Sequence, residues 1–539
     1  MAVLRLRPLA SALVRLERLA SRPLGAIVLF VLSLGVYALR ALGWPLQIGR
    51  DLDEYLYVYI QLLDRHPLLP WSMLFRTPVT PIVAGLSLDV AGGALAEPVM
   101  AVLFAASVVA WSAAAAAFSA RAAILVACAL LVYPAYGLMF HELCSEPVFS
   151  AAYALLALLV VRAWQRPSGG RFVWVGLGIA LCALVRPGNA VLLVLALFPV
   201  AVPGTWRERL RWTATLLVAA LAPLGAWTLH NGLRLGDYAL ARGGNAVIPF
   251  YRAFVTDRIV SPHNGPASRR LAEAIAKHLL TREPYRSYGV TLDQVFRSGS
   301  FRIHEDLYLL SDQVFGWKSD YAILRDAGVE AVRAHPDAYA RGVLDTVWLQ
   351  LSRSYFRAPG GGSQVETKRP PTIVVHGRRL PDPGEDQPIP AGQSVWISRP
   401  DNSIRDVWTS PTRHRFVFGH QGDRRRFQEI VRERDRLLAN LPHRQGQGWL
   451  ALRLNQLSRW YPRPILWIAV GVLALLWRRP RGARTLVALA LSALLVIVLN
   501  ALGLFADPHF ALPVAPAFVL LGAGALLGRR ASPRLDARR

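Results

Sequence analysis

The chain has 539 residues and a formal net charge of +26, and 53% of its residues are hydrophobic. A soluble protein of this length would form about three or four domains, but long uninterrupted apolar runs exclude that class. The three cysteines show no CxxC spacing, so they predict neither a zinc site nor a disulfide framework.

Ten apolar runs predict a polytopic α-helical membrane protein with about ten transmembrane helices. The runs cover residues 24–42, 92–118, 122–140, 147–163, 172–185, 188–203, 212–229, 463–477, 485–504 and 510–527. No signal-peptide cleavage pattern precedes the first run, which is also too long for the apolar part of a signal peptide. We therefore interpret it as a retained helix.

The basic residues are concentrated in the segments that would lie inside if the N-terminus is cytoplasmic. These segments are 1–23, the turn at Arg121, 162–171, 204–211, 478–484 and 528–539, and they contain 21 Arg and three acidic residues. This asymmetry follows the positive-inside rule. The charge is therefore a topology signal, and we expect no nucleic-acid partner.

This topology divides the chain into five parts. A basic cytoplasmic N-terminus (1–23) precedes an N-terminal transmembrane module of about seven helices (24–229), which includes an outer loop at 43–91. An extracytoplasmic segment (230–462), C-terminal transmembrane helices (463–527) and a basic cytoplasmic tail (528–539) follow. Shorter outer turns lie at 140–146, 186–189 and 505–509, so the outward polar groups can converge on one cavity.

The large extracytoplasmic segment is predicted to be mixed α/β. Its part 250–356 is predicted to be helical, with one helix in "SRRLAEAIAKHLL" (268–280) and two helices over 320–356 that are separated at Pro336. A linker, "APGGGSQ", leads into 358–450, where "TIVVHG", "SVWISR" and "HRFVFG" are typical of short strands. A charged helix is predicted from Arg424 to Leu441.

Acidic residues cluster at the outer end of the first predicted helix. The stretch "GRDLDEYLYVYIQLL" (49–63) places Asp51, Asp53 and Glu54 directly after the first apolar run. Carboxylates stabilise the N-terminus of a helix, so a solvated helix end is the ordinary explanation. The alternating tyrosines of the same stretch indicate an interfacial helix instead of a free loop.

A second outer turn and a lone cation add to this cluster. The stretch "MFHELCSEPVF" brings His141, Glu142 and Glu146 to the outer end of another helix. A carboxylate at membrane depth is costly and often functional. Arg186 stands alone between two apolar runs on the same face, so these residues are candidates for one polar site.

Six segments, in this order, resemble motifs of the GT-C glycosyltransferases, polytopic enzymes related to the protein O-mannosyltransferases and the aminoarabinose transferase of lipid A. They are "DLDEYLYVYIQLL", "LCSEPVFSAAYALLALLVVRAW", "ALVRPGNAVLLVL", "WTLHNGLRLGDYALARGGNAVI", "AHPDAYA" and "DPHFALPVAPAFVLL". The resemblance covers about 1–355 and 463–527 and leaves 358–450 unmatched. The chain has His230 and His509-Phe510 where the family pattern has an Arg and an Arg-Tyr pair.

The resemblance implies an inverting transfer of a sugar from a polyprenyl-phosphate donor to an acceptor hydroxyl. Such a transfer needs a base beside the acceptor hydroxyl and cations around the leaving phosphate. The family motif assigns the base to Asp53. The donor-phosphate contacts are expected from Arg186, His509 and His230. The residues expected to contact the substrate or to support these groups are Asp51, Glu54 and Tyr57.

Each assignment has an ordinary alternative. Asp53 could cap a helix, Arg186 could snorkel to lipid headgroups, and His509 could bond a loop carbonyl. A divalent metal ion is the one cofactor considered, because hard metals accept carboxylates. Its candidate ligands are Glu142, Glu146 and His141, together with Asp51. A structural polar network explains these residues equally well.

We expect an integral protein of a bacterial plasma membrane with an extracytoplasmic active site. Its expected partners are a polyprenyl-phosphate sugar donor, membrane lipid, and a glycan, lipid or protein acceptor. No Gly-x-Gly-x-x-Gly stretch follows a predicted strand, which argues against a nucleotide-sugar fold. Two alternatives remain: a polytopic transporter would need ionisable groups near mid-bilayer and two related halves, and a non-catalytic scaffold would tolerate loss of Asp53.

Overall fold

A computed structural model gives the architecture and is mostly helical. It describes residues 17, 23–64, 66–282, 285–353, 372–375, 378–381, 404–410, 413–442, 446, 449–450, 453, 456–457, 460–503 and 508–530. The predicted linker at 358–364 and the predicted strand "SVWISR" lie outside these residues.

The N-terminal half consists of apolar helices and two very short strands. Its elements are α1 (Pro23–Gly43), β1 (Gln47–Ile48), α2 (Leu52–Gln61), α3 (Pro70–Phe75), α4 (Val79–Asp89), α5 (Ala96–Ala116), α6 (Ala120–Val132), α7 (Pro134–Met139), β2 (Glu142–Leu143), α8 (Ser145–Gln165), α9 (Gly169–Val185) and α10 (Trp206–Leu235). Two 3₁₀ helices, Val90–Gly93 and Pro187–Ala201, complete it.

The second half contains an amphipathic helical part, two hairpins and the last apolar helices. Its helices are α11 (Gly244–Ala246), α12 (Pro266–Ala274), α13 (Tyr285–Tyr288), α14 (Leu292–Ser298), α15 (Phe301–Val314), α16 (Ala322–Ala334), α17 (Pro336–Ser352), α18 (Gln421–Ala439), α19 (Pro464–Arg478), α20 (Ala483–Gly503) and α21 (Ala515–Leu527). Its strands are β3 (Thr372–Val375), β4 (Arg378–Pro381), β5 (Ile404–Ser410) and β6 (Arg413–Phe418), which form the antiparallel pairs β3–β4 and β5–β6. Its π and 3₁₀ helices are Val247–Thr256, Ile275–Leu279, Trp317–Ser319 and Pro508–Ala511.

Each of the ten apolar runs is helical. Within the described ranges, five helices are long and apolar enough to cross a membrane, namely α1, α5, α8, α10 and α20, and shorter apolar helices follow the other runs. Proline interrupts the run 122–140, because Pro134 begins α7 and cannot continue the hydrogen bonding of α6. The predicted number of about ten spans stays a prediction.

Arg40, a buried arginine in the last turn of α1, donates hydrogen bonds to backbone carbonyls at the end of α6, just before Pro134. Its Nη2 donates to the carbonyl oxygens of Leu131 at 2.5 Å and Tyr133 at 3.3 Å. The last carbonyls of a helix have no partner within it, and in an apolar surrounding an unpaired carbonyl is costly. The charge in α1 therefore has a structural role.

The amphipathic helices of residues 244–352 have a core of their own and are attached to α20. This second core lies between residues 246 and 331, apart from the large core that joins the apolar helices. Arg252 donates to the Ala501 carbonyl oxygen at 2.8 Å, and the Tyr339 hydroxyl donates to that of Leu502, also at 2.8 Å. Both acceptors lie in the last turn of α20, so the amphipathic helices cap this apolar helix.

Candidate active site

A two-residue parallel strand pair joins the beginning of α2 to the beginning of α8. Gln47 pairs with Glu142, and Ile48 pairs with Leu143. Gly49 allows the segment after β1 to approach the segment after β2 closely, because a Cβ atom at this position would lie 2.6 Å from the Cβ of Cys144. This pairing brings the Asp-Glu stretch of α2 next to the Ser-Glu stretch of α8, although about a hundred residues separate them in sequence.

A small cavity lies where these two helices begin. Its lining residues are Arg50, Asp51, Tyr55, Arg76, Thr77, Ser145, Glu146, Val185, Arg186 and Pro187. Charged side chains of both signs therefore face one small space. Three residues that the sequence predicted for the site, Asp51, Glu146 and Arg186, lie in this lining.

Glu146 is the buried anion of the site, and only 3% of its side chain is exposed. Its Oε1 lies 3.3 Å from Nη1 of Arg186 and 3.5 Å from Nε2 of His509. Burial by itself lowers the pKa of His509, but the adjacent Glu146 carboxylate outweighs this effect and leaves that pKa raised. The carboxylate therefore lies between Arg186, which lines the cavity, and the imidazole of His509.

The ring of Phe510 orders two arginines beside this carboxylate. The guanidinium carbon of Arg50 lies 4.8 Å from the ring centroid, and that of Arg186 lies 5.0 Å from it. Cations are attracted to an aromatic face at such distances. Two guanidinium groups are therefore held at one edge of the cavity, and planar guanidinium forks match the geometry of phosphate oxygens.

The three carboxylates at the start of α2, Asp51, Glu54 and Asp53, do not all face the same way. Asp51, whose φ is +59°, and Glu54 lie 3.1 and 3.6 Å from Nη2 of Arg76. Burial raises the pKa of Glu54, Arg76 opposes this effect, and the neighbouring Asp51 and Asp53 add to it. Asp53 is exposed and is not among the lining residues of the cavity. Its face of α2 is shared with Tyr57, four residues later.

Two other predicted site residues, His230 and His141, do not line the cavity. His230 lies on α10 and stacks on Trp227, with ring centroids 4.9 Å apart. His141 is buried and stacks on Tyr37 at 4.1 Å. Burial, and then the charge of Arg40, lowers the pKa of His141 to about 3.

The described residues contain a different candidate metal-ligand group from the predicted one. One ligand atom each from Glu142, Cys144 and His509 lies within 4.8 Å of the others. His141 and Glu146, which the sequence suggested as partners of Glu142, are not members of this group. A carboxylate, a thiol and an imidazole also differ from the all-oxygen ligand set that Mg²⁺ and Ca²⁺ prefer.

Part of the chain matches a known family model. Residues 76–227 match the family described as dolichyl-phosphate-mannose-protein mannosyltransferase. The resemblance to GT-C membrane glycosyltransferases is confirmed. The matched residues include Arg76, Glu146 and Arg186, three of the charged residues in the cavity lining.

Solved structures with similarity to this chain have low identity. The structure of ArnT from Cupriavidus metallidurans bound to undecaprenyl phosphate is 14% identical, with a TM-score of 0.32, over 94% of this chain and 78% of that chain. The structure of the same protein in the apo state is 12% identical, with a TM-score of 0.29, over 93% and 77%. No curated protein matches the chain.

Sequence reasoning missed several charged residues at and near this cavity. Arg50 and Arg76 line the cavity but are single basic residues in outer loops, where no spacing distinguishes them. Glu305 lies on α15, and its pKa is raised to about 7, mainly by burial. Arg302 opposes that shift, whereas Asp306, Glu54 and Asp51 add to it. Only the folded chain brings this carboxylate under the influence of the acids of α2.

Proposed function

We propose that the chain holds the phosphate of a polyprenyl-phosphate sugar at this cavity and transfers the sugar to an acceptor hydroxyl beside the exposed face of α2, on the extracytoplasmic face and with inversion at the anomeric carbon. The observation that carries the proposal is the pairing of Arg50 and Arg186 around Phe510, next to the carboxylates at the start of α2. Cations for a leaving phosphate and carboxylates for a base are the two groups that such a transfer requires.

In the proposed reaction the donor phosphate contacts Arg50 and Arg186. The acceptor oxygen attacks the anomeric carbon from the face opposite the phosphate, while a carboxylate takes the proton of the acceptor hydroxyl. The bond between the anomeric carbon and the phosphate oxygen breaks, and its electron pair leaves with the phosphate. Preorganised guanidinium groups stabilise the charge that develops on the phosphate oxygens.

We assign the base to Asp53. Asp51 is engaged by Arg76 at 3.1 Å, and a carboxylate in an ion pair accepts a proton less readily. Asp53 makes no salt bridge with the residues that the structure describes, so its carboxylate is the more available of the two. The first-loop motif of the GT-C enzymes supports the same assignment.

The decisive experiment compares Asp53→Asn with Asp51→Asn in purified protein. Asparagine keeps the shape of the side chain but cannot accept the proton. Turnover would be measured as release of undecaprenyl phosphate from undecaprenyl phosphate carrying mannose, glucose or arabinose, with membrane extract as acceptor. We expect Asp53→Asn to lower turnover by about 10²- to 10⁴-fold, the usual contribution of a general base, and Asp51→Asn to cost less.

Asp293→Asn is the matched control. That carboxylate is exposed and pairs with Arg297 on α14, so its loss should leave turnover unchanged. Binding of undecaprenyl phosphate should be retained in all three variants. Wild-type turnover in Asp53→Asn would contradict the assignment and leave the acids of α2 as a stabilised helix end.

A further inference from the structure

Three side chains that bind metals in other proteins converge next to the candidate active site. They are Glu142 in β2, Cys144 just before α8, and His509 in the 3₁₀ helix Pro508–Ala511. One ligand atom from each lies within 4.8 Å of the other two. Because Glu142 and His509 lie in opposite halves of the chain, no local sequence motif indicates this group.

The backbone directs Glu142 and Cys144 to the same side. Glu142 belongs to β2, which its pairing with β1 holds in place, and Cys144 continues the extended conformation with φ −152° and ψ −171°. Side chains two residues apart in an extended chain point to the same face. A carboxylate and a thiol are therefore presented together, and His509 approaches them from the segment before α21.

The group is shielded from water. The exposed fractions are 6% for Glu142, 1% for Cys144 and 3% for His509. Sγ of Cys144 has a long, weak hydrogen bond of 3.7 Å to the carbonyl oxygen of Glu142. A buried salt-bridge network could account for the carboxylate and the imidazole, but such a network needs no thiol.

The three ligand types identify the metal that would fit them. Zn²⁺ is bound in proteins by thiolate, imidazole and carboxylate groups, whereas Mg²⁺ and Ca²⁺ prefer oxygen ligands alone. A thiol that coordinates a metal loses its proton, so one thiolate and one carboxylate balance the charge of the ion. This balance suits a buried site, where an uncompensated charge is costly.

Glu146 is placed to orient the imidazole of His509. A metal-bound histidine usually directs its second ring nitrogen at a carboxylate or a carbonyl oxygen. Nε2 of His509 lies 3.5 Å from Oε1 of Glu146, and the same oxygen lies 3.3 Å from Nη1 of Arg186. Glu146 thus connects the ligand group to a cation of the cavity lining.

We propose that Glu142, Cys144 and His509 bind one Zn²⁺ ion, with Nδ1 of His509 on the metal and Nε2 facing Glu146. A zinc–sulfur bond forms, and the thiol proton of Cys144 leaves to solvent. Three protein ligands leave one position of a tetrahedral zinc ion for water. The proposal assigns His509 to the metal instead of the donor phosphate.

The ion fixes Phe510 together with His509. The ring of Phe510 contacts the guanidinium groups of Arg50 and Arg186, and Cys144 directly precedes Ser145 of the cavity lining. A zinc bridge between these two segments therefore holds the ring against the two arginines. This effect on the phosphate site rests on the proposed function, whereas the zinc site itself does not.

The experiment measures the zinc content of full-length protein purified without a metal-affinity tag, by inductively coupled plasma mass spectrometry. Wild type is compared with Glu142→Gln, Cys144→Ser and His509→Asn. Cys182→Ser is the matched control, because Cys182 is also buried but lies on α9, outside the ligand group. Thermal unfolding of each variant is measured in parallel.

Co²⁺ provides a second readout that is independent of activity. Protein stripped with a chelator is reloaded with Co²⁺, and a thiolate bound to this ion gives a charge-transfer band in the near ultraviolet. We expect about one zinc ion per wild-type chain. The Co²⁺ band should be present in wild type and Cys182→Ser and absent in Cys144→Ser. Glu146→Gln should raise the Kd for Zn²⁺ about 10- to 100-fold, the usual effect of removing a group that orients a metal ligand.

The effect on the phosphate site is measured separately, by titrating zinc-loaded and zinc-free wild type with undecaprenyl phosphate. We expect the zinc-free protein to have a Kd about tenfold higher, because the ring of Phe510 no longer aligns two guanidinium groups. Adding Zn²⁺ back should restore the lower Kd in wild type but not in Cys144→Ser.

Each failure has a distinct result. Wild-type protein that contains no zinc and takes up neither Zn²⁺ nor Co²⁺ would overturn the zinc site and leave a buried salt-bridge network. Unchanged zinc content in folded Cys144→Ser and His509→Asn would overturn the ligand assignment, and stoichiometric iron or copper would overturn the choice of metal.

The zinc site and the proposed function are also tested independently of each other. If zinc binds but its removal leaves the Kd for undecaprenyl phosphate unchanged, the effect through Phe510 is refuted. A zinc-loaded protein that releases no undecaprenyl phosphate from any of the sugars would refute the proposed function and leave the zinc site intact.

Discussion

Removal of Arg186 should weaken binding of the donor phosphate without unfolding the protein. Its guanidinium lies 3.3 Å from Glu146 and 5.0 Å from the Phe510 ring centre, and 28% of its side chain is exposed. In Arg186→Ala the phosphate loses one charge-assisted hydrogen bond. Because His509 still lies 3.5 Å from Glu146, the buried carboxylate keeps one partner and the fold should survive.

The size of the effect follows from the strength of that single hydrogen bond. A hydrogen bond to a charged group contributes about 1.5–3 kcal/mol, which corresponds to a Kd about 10- to 150-fold higher. Binding should not be abolished, since Arg50 remains on the same aromatic ring. Arg186→Lys keeps the charge but loses the planar fork, so its Kd should lie between those of wild type and Arg186→Ala.

The assay is titration of the purified, nanodisc-embedded variants with undecaprenyl phosphate, with bound lipid measured by native mass spectrometry. Arg297→Ala serves as control, because this arginine is 80% exposed and pairs only with nearby Asp293 among the described residues. A folded Arg186→Ala protein with the wild-type Kd would refute the phosphate role and make Arg186 an anchor for lipid headgroups.

Three further predictions concern topology, pH and backbone packing. Single cysteines at Asp53 and at Arg481 should label from outside and from inside, respectively, and outer labelling at position 481 would overturn the proposed topology. Burial raises the pKa of Glu305 to about 7. The folding stability that this shift contributes is present below pH about 4.5 and is lost as the pH rises to about 7. In thermal unfolding curves, Glu305→Gln should not show this loss of stability. Gly49→Ala should reduce turnover, because its Cβ would clash with the backbone at Leu143, whereas Gly35→Ala, with no atom within 4 Å, should not.

The helices could be predicted from sequence because their signal is local. All ten apolar runs are helical, and the break between α16 and α17 lies at Pro336 as predicted. The charged helix predicted from Arg424 to Leu441 is α18. Strands β4 and β5 were not predicted, since "RRLP" and "IRDVWTS" lack a clear alternation of apolar and polar residues.

The site could be predicted only in part, because its geometry depends on contacts between distant residues. Arg186 and Glu146 were singled out by their polarity beside apolar runs, and His509 was singled out by the family resemblance. The structure brings the three together. Nothing local to Arg434 indicates that it contacts Tyr57, because α18 carries several arginines of similar surroundings in sequence. Arg434 contacts Tyr57 because α18 packs on α2 in the folded chain.

The ring of Phe510 also makes the order of synthesis matter. Membrane helices enter the bilayer as the chain is made, and domains form from the N-terminus onward. After α10 is complete, Arg50, Glu146 and Arg186 are all present, but the ring that aligns the two guanidinium groups is still more than 250 residues from being made. On the proposed function, a partly made chain therefore has no ordered phosphate site and captures no donor lipid before the last apolar helix has joined the bundle.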